Sequence, residues 1–340
     1  MTDPIRPPSR LLSELDGVDR RGFLKCMAWA GTAVVWSVNG GVLSSARAGQ
    51  RPTRAFEAAD FTFVQISDSH IGFGKDPNKD VVGTLRIAVD RINALPKRPD
   101  LLIHTGDLTH LAEPAEFDTV AEILKSVKTE RSVYVPGEHD IGTDGPKLYL
   151  DRYGKDARGD GWHSFDHKGV HFIGLVNVIN HGEASGLGEL GRPQLEWLED
   201  DVKGLADDTP IVVFAHVPLW TVYEKWGWGT KDSGAALAYL KRFGSVTVLN
   251  GHIHQALQKT EGNVTFHTAC STAFPQPEPG KAEKPGPLKN VAADRLKSML
   301  GLSTVNYVEH PGSLAIVDST LEDSGAAPQP AGRNAPDAKR

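Results

Sequence analysis

"LNGHIHQ", residues 249–255, places His252 and His254 one residue apart, directly after a short apolar run. In extended backbone, residues i and i+2 point to the same side of a strand, so both imidazoles can face one centre or two adjacent centres. Imidazole is the commonest metal ligand among protein side chains near neutral pH. An isolated pair of this kind is more often found on the surface, so its interpretation depends on the rest of the chain.

From residue 61 onward, short apolar runs alternate with amphipathic segments. The apolar runs predict strands at 61–66, 100–105, 132–135, 169–178, 210–215, 245–250 and 263–268. Apolar side chains at helical spacing predict helices at 79–95, 113–127 and 192–205. This alternation predicts an α/β layered domain.

Acidic residues and histidines recur just after five of the predicted strands. They are Asp68 and His70; Asp107 and His110; Glu138, His139 and Asp140; His216; and His252 with His254. The carboxyl ends of strands in open α/β sheets converge on one crevice, so these side chains are expected to meet. A single Asp after a strand usually caps a turn, but five such groups favour a ligand set for two divalent metals.

The order Asp-x-His, Gly-Asp, Gly-x-His-Asp, His, Gly-His-x-His resembles the calcineurin-like metallophosphoesterases over roughly residues 60–270. The segments "GDLTHLAEPAEFDTVAEIL" and "QLEWLEDDV" are most similar to the cyclic-nucleotide and glycerophosphodiester phosphodiesterase branch. The resemblance implies an α/β fold of four layers, an α/β/β/α sandwich of two mixed sheets flanked by helices. It also implies a metal-dependent hydrolase that cleaves a phosphodiester or small phosphomonoester with metal-activated water. Two divalent ions, Mn, Fe or Zn, are the implied cofactors.

The same resemblance implies a role for each site residue. The implied ligands are Asp68, His70 and His254 for one metal, His216 and His252 for the other, and Asp107 as the bridge. His139 is implied to lie over the scissile phosphate as proton donor or oxyanion stabiliser, with Asp140 orienting it.

Glu138 departs from the family pattern, which usually has Asn at this position. Its carboxylate can ligate the second metal more tightly than an amide and reduce the metal's Lewis acidity. Alternatively, it can turn away and leave that metal weakly held. A metal-binding or regulatory protein of the same fold, with weak or lost turnover, is therefore the alternative function.

Two other hydrolase classes fit the motifs less well. A metallo-β-lactamase-type hydrolase requires H-x-H-x-D-H, and here the pair continues as "QAL". A purple acid phosphatase requires a tyrosine three residues after the Gly-Asp aspartate, where this chain has His110. His110 is expected either to contact substrate or to close the Gly-Asp loop. The aromatic segment 218–232 is expected either to cover a sheet edge or to line the mouth of the site.

Composition narrows the range of partners. The chain has a net charge of -6, and no basic cluster runs through its body, so neither nucleic acid nor an anionic membrane is an expected main partner. Its two cysteines exclude a four-cysteine zinc site and a disulfide framework. A small phosphoester substrate is the expected partner.

The N-terminus has the order of a twin-arginine export signal. Arg20 and Arg21 precede an apolar stretch at 26–43, and Ala46-Arg47-Ala48 fits a small-x-small cleavage site. The predicted organisation is a signal peptide at 1–48, a metallophosphoesterase domain at 49–322 and a disordered tail at 323–340. This organisation predicts the twin-arginine export machinery as a partner and a periplasmic or secreted protein. Contact with the membrane is expected only through an uncleaved signal, if at all.

Overall fold

The computed structural model describes residues 34–39, 42–47, 59–179, 187–308 and 313–322. The strands in these ranges are β1 (Val34–Asn39), β2 (Val42–Arg47), β3 (Phe61–Ile66), β4 (Leu101–His104), β5 (Arg131–Tyr134), β6 (His163–His167), β7 (Val170–Gly174), β8 (Ile211–Phe214), β9 (Val246–Asn250), β10 (Leu257–Glu261), β11 (Val264–Thr268), β12 (Gly301–Val308) and β13 (Ser313–Thr320). The helices are α1 (Val81–Asn93), α2 (Pro114–Leu124), α3 (Lys147–Tyr153), α4 (Arg192–Val202), α5 (Ser233–Leu240) and α6 (Ala293–Met299).

The strands form two mixed sheets. One sheet has the order β2-β1-β13-β12-β3-β4-β5, and the other has the order β10-β11-β9-β8-β7-β6. The strands β3, β4 and β5 lie at one end of the first sheet and are parallel to one another, as are β7, β8, β9 and β11 in the second sheet. Antiparallel pairing joins β12 to β3 and β6 to β7. The parallel strands of each sheet direct their carboxyl ends, and the loops that follow, to one edge of that sheet.

Side chains of the central strands alternate between two apolar layers. Phe61 and Phe63 of β3 lie in the core between the sheets, together with Phe214 of β8. Val64 and Ile66 of the same strand face the other way, into the core under α1 and α2. Because successive strand residues point to opposite faces, both faces of each sheet are covered. The predicted four-layer α/β/β/α sandwich is confirmed.

The predicted strands and helices are present, with shifted ends. The strand predicted at 169–178 ends at Gly174, and the helix predicted at 113–127 ends at Leu124. Glu113 and Glu116 form a capping box at the start of α2, with Pro114 in the first turn. From residue 59 onward, the structure also contains elements that the sequence did not predict: β6, β10, β12, β13, α3, α5 and α6.

The signal peptide and the tail predicted at the two ends of the chain are described only in small part. The predicted tail lies outside the described residues, as does most of the predicted signal peptide. The strands β1 and β2 fall within 1–48 and pair with each other, and β1 pairs with β13. Within the described ranges, no helix has the length and apolar character needed to cross a membrane. The export signal and the domain boundaries stay predictions.

Candidate metal centre

The loops after five parallel strands bring acidic residues and histidines into one cluster. Three of these loops follow β3, β4 and β5, and two follow β8 and β9. In this cluster, groups of three side chains have candidate ligand atoms within 4.8 Å of one another. The residues brought together include all seven predicted metal ligands: Asp68, His70, Asp107, Glu138, His216, His252 and His254.

Five of these residues have a left-handed backbone. They are Asp68 (φ 53°), His70 (φ 40°), Asp107 (φ 53°), His252 (φ 68°) and His254 (φ 54°). Such a conformation costs a residue other than glycine about 1–2 kcal/mol, and strained residues of this kind cluster at functional sites. The geometry corrects one expectation, because β9 ends at Asn250 and the two histidines that follow are not in an extended strand. They face two adjacent groups rather than one.

The first group consists of the buried residues Asp68, His70 and His254. The Nε2 atom of His254 lies 3.2 Å from Asp68 Oδ1 and 3.2 Å from His70 Nε2. Two imidazole nitrogens at this distance require a shared proton or a shared cation, because their lone pairs otherwise repel each other. The donor atoms of this group therefore converge on a common point, as the ligands of a single metal ion do.

The second group consists of Glu138, His216 and His252. The Glu138 carboxylate lies between the two histidines, with Oε2 3.0 Å from His216 Nε2 and Oε1 3.0 Å from His252 Nδ1. The side chain of Glu138 therefore turns into the site rather than away from it, and it occupies the place of a ligand.

Asp107 lies between the two groups. Its Oδ2 atom is 3.4 Å from His70 Nε2 in the first group and 3.4 Å from His216 Nε2 in the second. Its Oδ1 atom accepts a hydrogen bond from the backbone N–H of His139 at 2.9 Å, which fixes the rotation of the carboxylate. One carboxylate that faces both groups is the arrangement required of a bridging ligand.

These residues fit a pair of divalent metals. Two donor atoms in adjacent positions around one metal, each about 2.1 Å from it, lie about 3 Å apart. The contacts within the two groups are 3.0–3.2 Å. Within the described residues, the buried Glu138 Oε2 and His216 Nε2 have no hydrogen-bond partner, although they face each other. This geometry suits atoms that converge on a cation better than a donor and acceptor pair.

The electrostatics of the cluster favour ligating forms for most of its members. Burial alone would raise the pKa of Asp68, but the nearby His254 and His216 lower it to about 2. Burial likewise opposes ionisation of Glu138, yet His252 and His216 hold its pKa well below the usual range. Burial and the neighbouring His254 lower the pKa of His70 well below its usual value. Carboxylate and neutral imidazole are the forms that bind metal.

His216 behaves in the opposite way. Burial favours its neutral ring, but the carboxylates of Asp107 and Glu138 raise its pKa well above the usual value. A proton on His216 and a metal ion in the second group would each neutralise the charge of these two carboxylates. Protonation of His216 and metal binding therefore compete with each other.

Backbone carbonyls orient two of the ligand rings. His216 Nδ1 lies 2.7 Å from the Thr105 carbonyl, and His254 Nδ1 lies 2.6 Å from the Phe274 carbonyl. Each of these contacts places the ring proton on Nδ1 and leaves Nε2 as the atom that faces the cluster.

His139 lies at the edge of the cluster, but Asp140 does not contact its ring. The ring donates from Nδ1 to the His110 carbonyl at 2.8 Å. Asp140 instead accepts hydrogen bonds from the backbone N–H groups of Leu108, Thr109 and Gly137. Sequence reasoning expected Asp140 to orient the imidazole. In the structure, Asp140 fixes the two loops that carry Asp107 and Glu138.

The pKa values of His139 and Asp140 are also shifted. Burial favours the neutral ring of His139, but the nearby Asp107 and Glu138 carboxylates outweigh burial and raise its pKa. Burial and the charge of Asp107 raise the pKa of Asp140 to about 6.

Two glycines permit the close approach of ligand side chains. At Gly106, where φ is +97°, a Cβ atom would lie 2.5 Å from His216 Nδ1 and 2.7 Å from the backbone nitrogen of Gly137. At Gly137, a Cβ atom would collide with the side chain of Asp107. Both motif glycines are therefore needed for steric reasons.

His70, His110 and His139 form a third group with close nitrogen atoms. The rings of His110 and His139 are stacked, with an interplanar angle of 14° and centroids 4.8 Å apart. A metal binds in the plane of an imidazole ring, and two stacked, nearly parallel planes do not share such a point. This geometry excludes a metal shared by His110 and His139.

Several contacts around the centre were not predicted from sequence. The rings of Phe274 and His70 stack with centroids 4.8 Å apart, and Gln276 donates to the His252 carbonyl at 2.8 Å. No motif marks either residue. In the aromatic segment 218–232, Trp220 packs against Phe266 on the outer face of the sheet, and Trp228 is fully buried. Trp220 therefore packs on the sheet, in keeping with the first of the two predicted alternatives.

A family model described as calcineurin-like phosphoesterase matches residues 61–256. The chain belongs to this family. It is 28% identical over 228 residues to a cAMP/cGMP dual specificity phosphodiesterase of Mycobacterium tuberculosis, over 64% of this chain and 69% of that protein. It is 25% identical over 224 residues to a 3',5'-cyclic-nucleotide phosphodiesterase of Nostoc sp., over 64% of this chain and 80% of that protein.

Solved structures show the same fold. A dimetal phosphatase from Danio rerio has a TM-score of 0.54 at 17% identity, over 73% of this chain and 93% of that one. Calcineurin-like phosphoesterases normally bind two divalent metals, and the candidate ligand groups of this chain suit that number. The predicted enzyme class, a metal-dependent phosphoester hydrolase, is confirmed.

Proposed function

We propose that this calcineurin-like phosphoesterase hydrolyses a small phosphodiester at a dinuclear metal centre, with 3',5'-cyclic nucleotides as the first substrates to test. The observation that carries the proposal is the position of Asp107, whose Oδ2 atom is 3.4 Å from a histidine of each group. The cyclic-nucleotide phosphodiesterases among its relatives support the substrate class.

In the proposed centre, different residues of this chain hold each of the two metal ions. When bound, the two cations supply a nucleophilic water and positive charge at the phosphoryl oxygens. Asp68, His70 and His254 are proposed to hold one cation, and their burial keeps bulk water from competing. Glu138, His216 and His252 are proposed to hold the other, with Asp107 shared between them.

His139 is the proposed proton donor to the leaving alkoxide. Its Nδ1 proton is engaged by the His110 carbonyl, so Nε2 is the nitrogen available to substrate. In the metal-free chain, the Asp107 and Glu138 carboxylates outweigh burial and raise the pKa of His139, so its ring holds a proton more readily than a free imidazole. A positioned acid of this kind typically contributes a factor of about 10²–10⁴ to the rate.

Rate measurements on metal-free protein reconstituted with Mn²⁺, Fe²⁺ or Zn²⁺ test the proposal. The substrates are cAMP, cGMP, bis(p-nitrophenyl) phosphate and p-nitrophenyl phosphate. We expect at least one metal to support hydrolysis of the diesters, and a chelator to abolish it. A His216→Ala variant purified in parallel is the control for contaminating hydrolases. A preference for the monoester over every diester would contradict the proposed substrate class.

Glu138 favours a second candidate function, a metal-binding or regulatory protein of the same fold. Its carboxylate lies 3.0 Å from both histidines of the second group and adds negative charge where an anionic substrate would bind. This candidate predicts that the reconstituted protein binds two metals and yet hydrolyses none of the four esters.

We further propose export through the twin-arginine pathway, with a periplasmic or extracellular location. Arg20 and Arg21, the apolar stretch and the Ala46-Arg47-Ala48 site support this proposal. Export after folding suits a protein whose metal ligands come from five separate loops, because the centre forms only in the folded chain.

A further inference from the structure

His110 lies beside the proposed metal centre and contacts two of its histidines. Its ring is stacked on His139, and its Nδ1 atom lies 3.4 Å from His70 Nδ1. The backbone N–H groups of His110 and Leu111 donate to the Glu116 carboxylate at 3.2 and 2.8 Å, which anchors the loop. The position of His110 is therefore fixed by its backbone as well as by its ring.

The contact with His70 has a defined direction of hydrogen bonding. His70 Nε2 faces His254 Nε2 at 3.2 Å and Asp107 Oδ2 at 3.4 Å, so Nε2 is its ligating atom. A neutral imidazole that ligates through Nε2 carries its proton on Nδ1. Among the described residues, His110 Nδ1 is the hydrogen-bond partner of that atom.

We propose that His110 is a positioning residue for the metal centre. Its Nδ1 accepts the Nδ1–H of His70 and so directs His70 Nε2 at the first metal position. This role requires His110 to be neutral, with its own proton on Nε2. The proposal rests on the metal centre of the proposed function, but its tests measure metal binding and proton position, so turnover is not needed.

The hydrogen-bond partner of His70 differs in kind from the partners of two neighbouring ligand rings. The outer nitrogens of His216 and His254 face backbone carbonyls, which side-chain substitution does not remove. The partner of His70 is a side chain, so the orientation of this ligand can be altered by a substitution at a residue that is not itself a ligand. Loss of such a partner typically weakens metal binding 10–100-fold.

Two substitutions separate hydrogen bonding from ring stacking. His110→Asn places an amide oxygen near the position of Nδ1 but removes the ring. His110→Phe keeps a ring that can stack on His139 but removes the acceptor. We expect His110→Phe to bind Zn²⁺ at the first position 10–100-fold more weakly, in chelator competition with metal-free protein. We expect His110→Asn to stay within about threefold of the unsubstituted protein.

The outcomes separate this inference from the proposed function. If the unsubstituted protein binds no metal, the metal centre itself is wrong and the inference falls with it. If it binds two metals and the two variants lose equal affinity, or neither loses any, His110 does not position His70 and only the inference is overturned. His70→Ala serves as the reference for loss of the first position.

Nuclear magnetic resonance of the unsubstituted protein gives a second test that does not depend on whether the variants fold. In protein loaded with Zn²⁺ and labelled with ¹⁵N in its histidine rings, long-range ¹H–¹⁵N spectra report which ring nitrogen carries the proton. We expect protonated Nδ1 for His70 and protonated Nε2 for His110. A proton on Nδ1 of His110 would overturn the proposal, because that atom could then not accept.

Discussion

At the scale of single residues, Glu138 is the feature that most separates this chain from the family pattern. Its carboxylate reaches both histidines of the second group at 3.0 Å, and its pKa lies well below the usual range for glutamate. It is therefore an anionic donor in place of the neutral asparagine amide. An anionic ligand binds a cation more tightly but repels an anionic phosphoester, so one residue affects metal affinity and turnover in opposite directions.

Glu138→Asn should weaken the second metal and raise turnover on simple phosphoesters when metal is saturating. Removal of one negative charge makes phosphate binding easier and the bound metal a stronger Lewis acid. A tenfold gain in kcat corresponds to about 1.4 kcal/mol of barrier. Metal titration and steady-state kinetics on bis(p-nitrophenyl) phosphate measure the two effects, with Glu138→Gln as a length-matched neutral control. Activity lost while both metals stay bound would mean that Glu138 takes part in the chemistry.

His139→Ala should slow the hydrolysis of alkyl esters far more than that of p-nitrophenyl esters. A nitrophenolate leaves without a proton, whereas an alkoxide depends on the acid that protonates it. The measurement is kcat for a matched pair of methyl and p-nitrophenyl phosphodiesters, in the variant and in the unsubstituted protein. An equal loss on both esters would assign His139 to binding or charge stabilisation instead.

Sequence reasoning located the candidate ligands because each group of them follows a strand, which is a local pattern. The partners of those ligands were harder to predict. The Phe274 carbonyl accepts from His254, and Gln276 donates to the His252 carbonyl, across long stretches of chain, and neither contact has a sequence signature. The hydrogen bonds of Asp140 were also hard to predict, because adjacency to His139 in sequence does not determine which way its carboxylate points.

At the scale of helices and strands, the site is built from loops that buried hydrogen bonds hold in place. Asp140 holds the loops after β4 and β5 together, and Ser271 Oγ donates to the Asp68 carbonyl at 2.8 Å in the loop after β3. Such bonds keep residues with left-handed φ in place, since that conformation is unfavourable on its own. The strands set the position of each loop, and these bonds set the direction of its side chains.

The strand β12, one of the elements that sequence reasoning missed, has a physical reason for its weak sequence signal. The strand β12 carries Ser303, Thr304 and Asn306, polar residues that are typical of loops, yet all three are buried. Asn306 accepts a hydrogen bond from Thr62 Oγ1 at 2.8 Å, and Ser303 donates to Asp318 at 2.6 Å. Polar strands of this kind are stable only because of partners far away in sequence. Short apolar strands such as β3, in contrast, were predicted from their apolar runs, and α1 was predicted from its helical periodicity.

His171 links β7 to α4 and should make stability depend on pH. Its Nδ1 lies 2.8 Å from Asp166 and its Nε2 lies 3.0 Å from Asp201. Burial favours the neutral ring, but the two carboxylates outweigh burial and raise its pKa above the usual 6.5. The protonated ring therefore stabilises the fold fully below about pH 6.5, and this stabilisation is lost as the pH rises through the folded-state pKa.

We expect His171→Gln to lower the free energy of unfolding by roughly 1–2 kcal/mol at pH 6 and by less at pH 9. The value lies toward the low end for hydrogen bonds to a charged group because Asp166 is exposed and its charge is screened by solvent. Chemical denaturation of metal-free protein at the two pH values gives the comparison. Asp201→Asn should show the same dependence. Lys203→Gln, which removes an exposed pair with Asp200 near the same helix, is the control. An equal loss at both pH values would contradict the assigned charge of His171.

At the scale of the whole molecule, two sets of parallel strands from different sheets supply the candidate ligands of one site. The loops after β3 and β4 carry the first group and the bridge, with His254 added from the loop after β9. The loops after β5, β8 and β9 carry the second group. Each metal group therefore contains ligands from both sheets, and a bound metal would join the two halves of the sandwich. Folding and metal binding are expected to be coupled for this reason.

Replacement of Arg20 and Arg21 by lysines should leave the precursor in the cytoplasm. The export pathway recognises the pair as a signal rather than as positive charge, which lysine would preserve. Cell fractionation of a producing bacterium, followed by immunoblotting, measures the outcome. Lys25→Arg is a control that also exchanges basic residues but leaves the pair intact. Normal export of the double lysine variant would contradict the predicted signal.

The metal content of the Asp107→Ala variant tests the central claim most directly. The proposed centre holds two divalent metals, and one carboxylate, 3.4 Å from a histidine of each group, ties them together. The measurement is the number of metal ions per chain, by plasma mass spectrometry after reconstitution and desalting, in the variant and in the unsubstituted protein. We predict about two in the unsubstituted protein and nearly none in Asp107→Ala, with the circular dichroism of the fold retained. Two metals retained in the variant would contradict the dinuclear centre with Asp107 as its bridge.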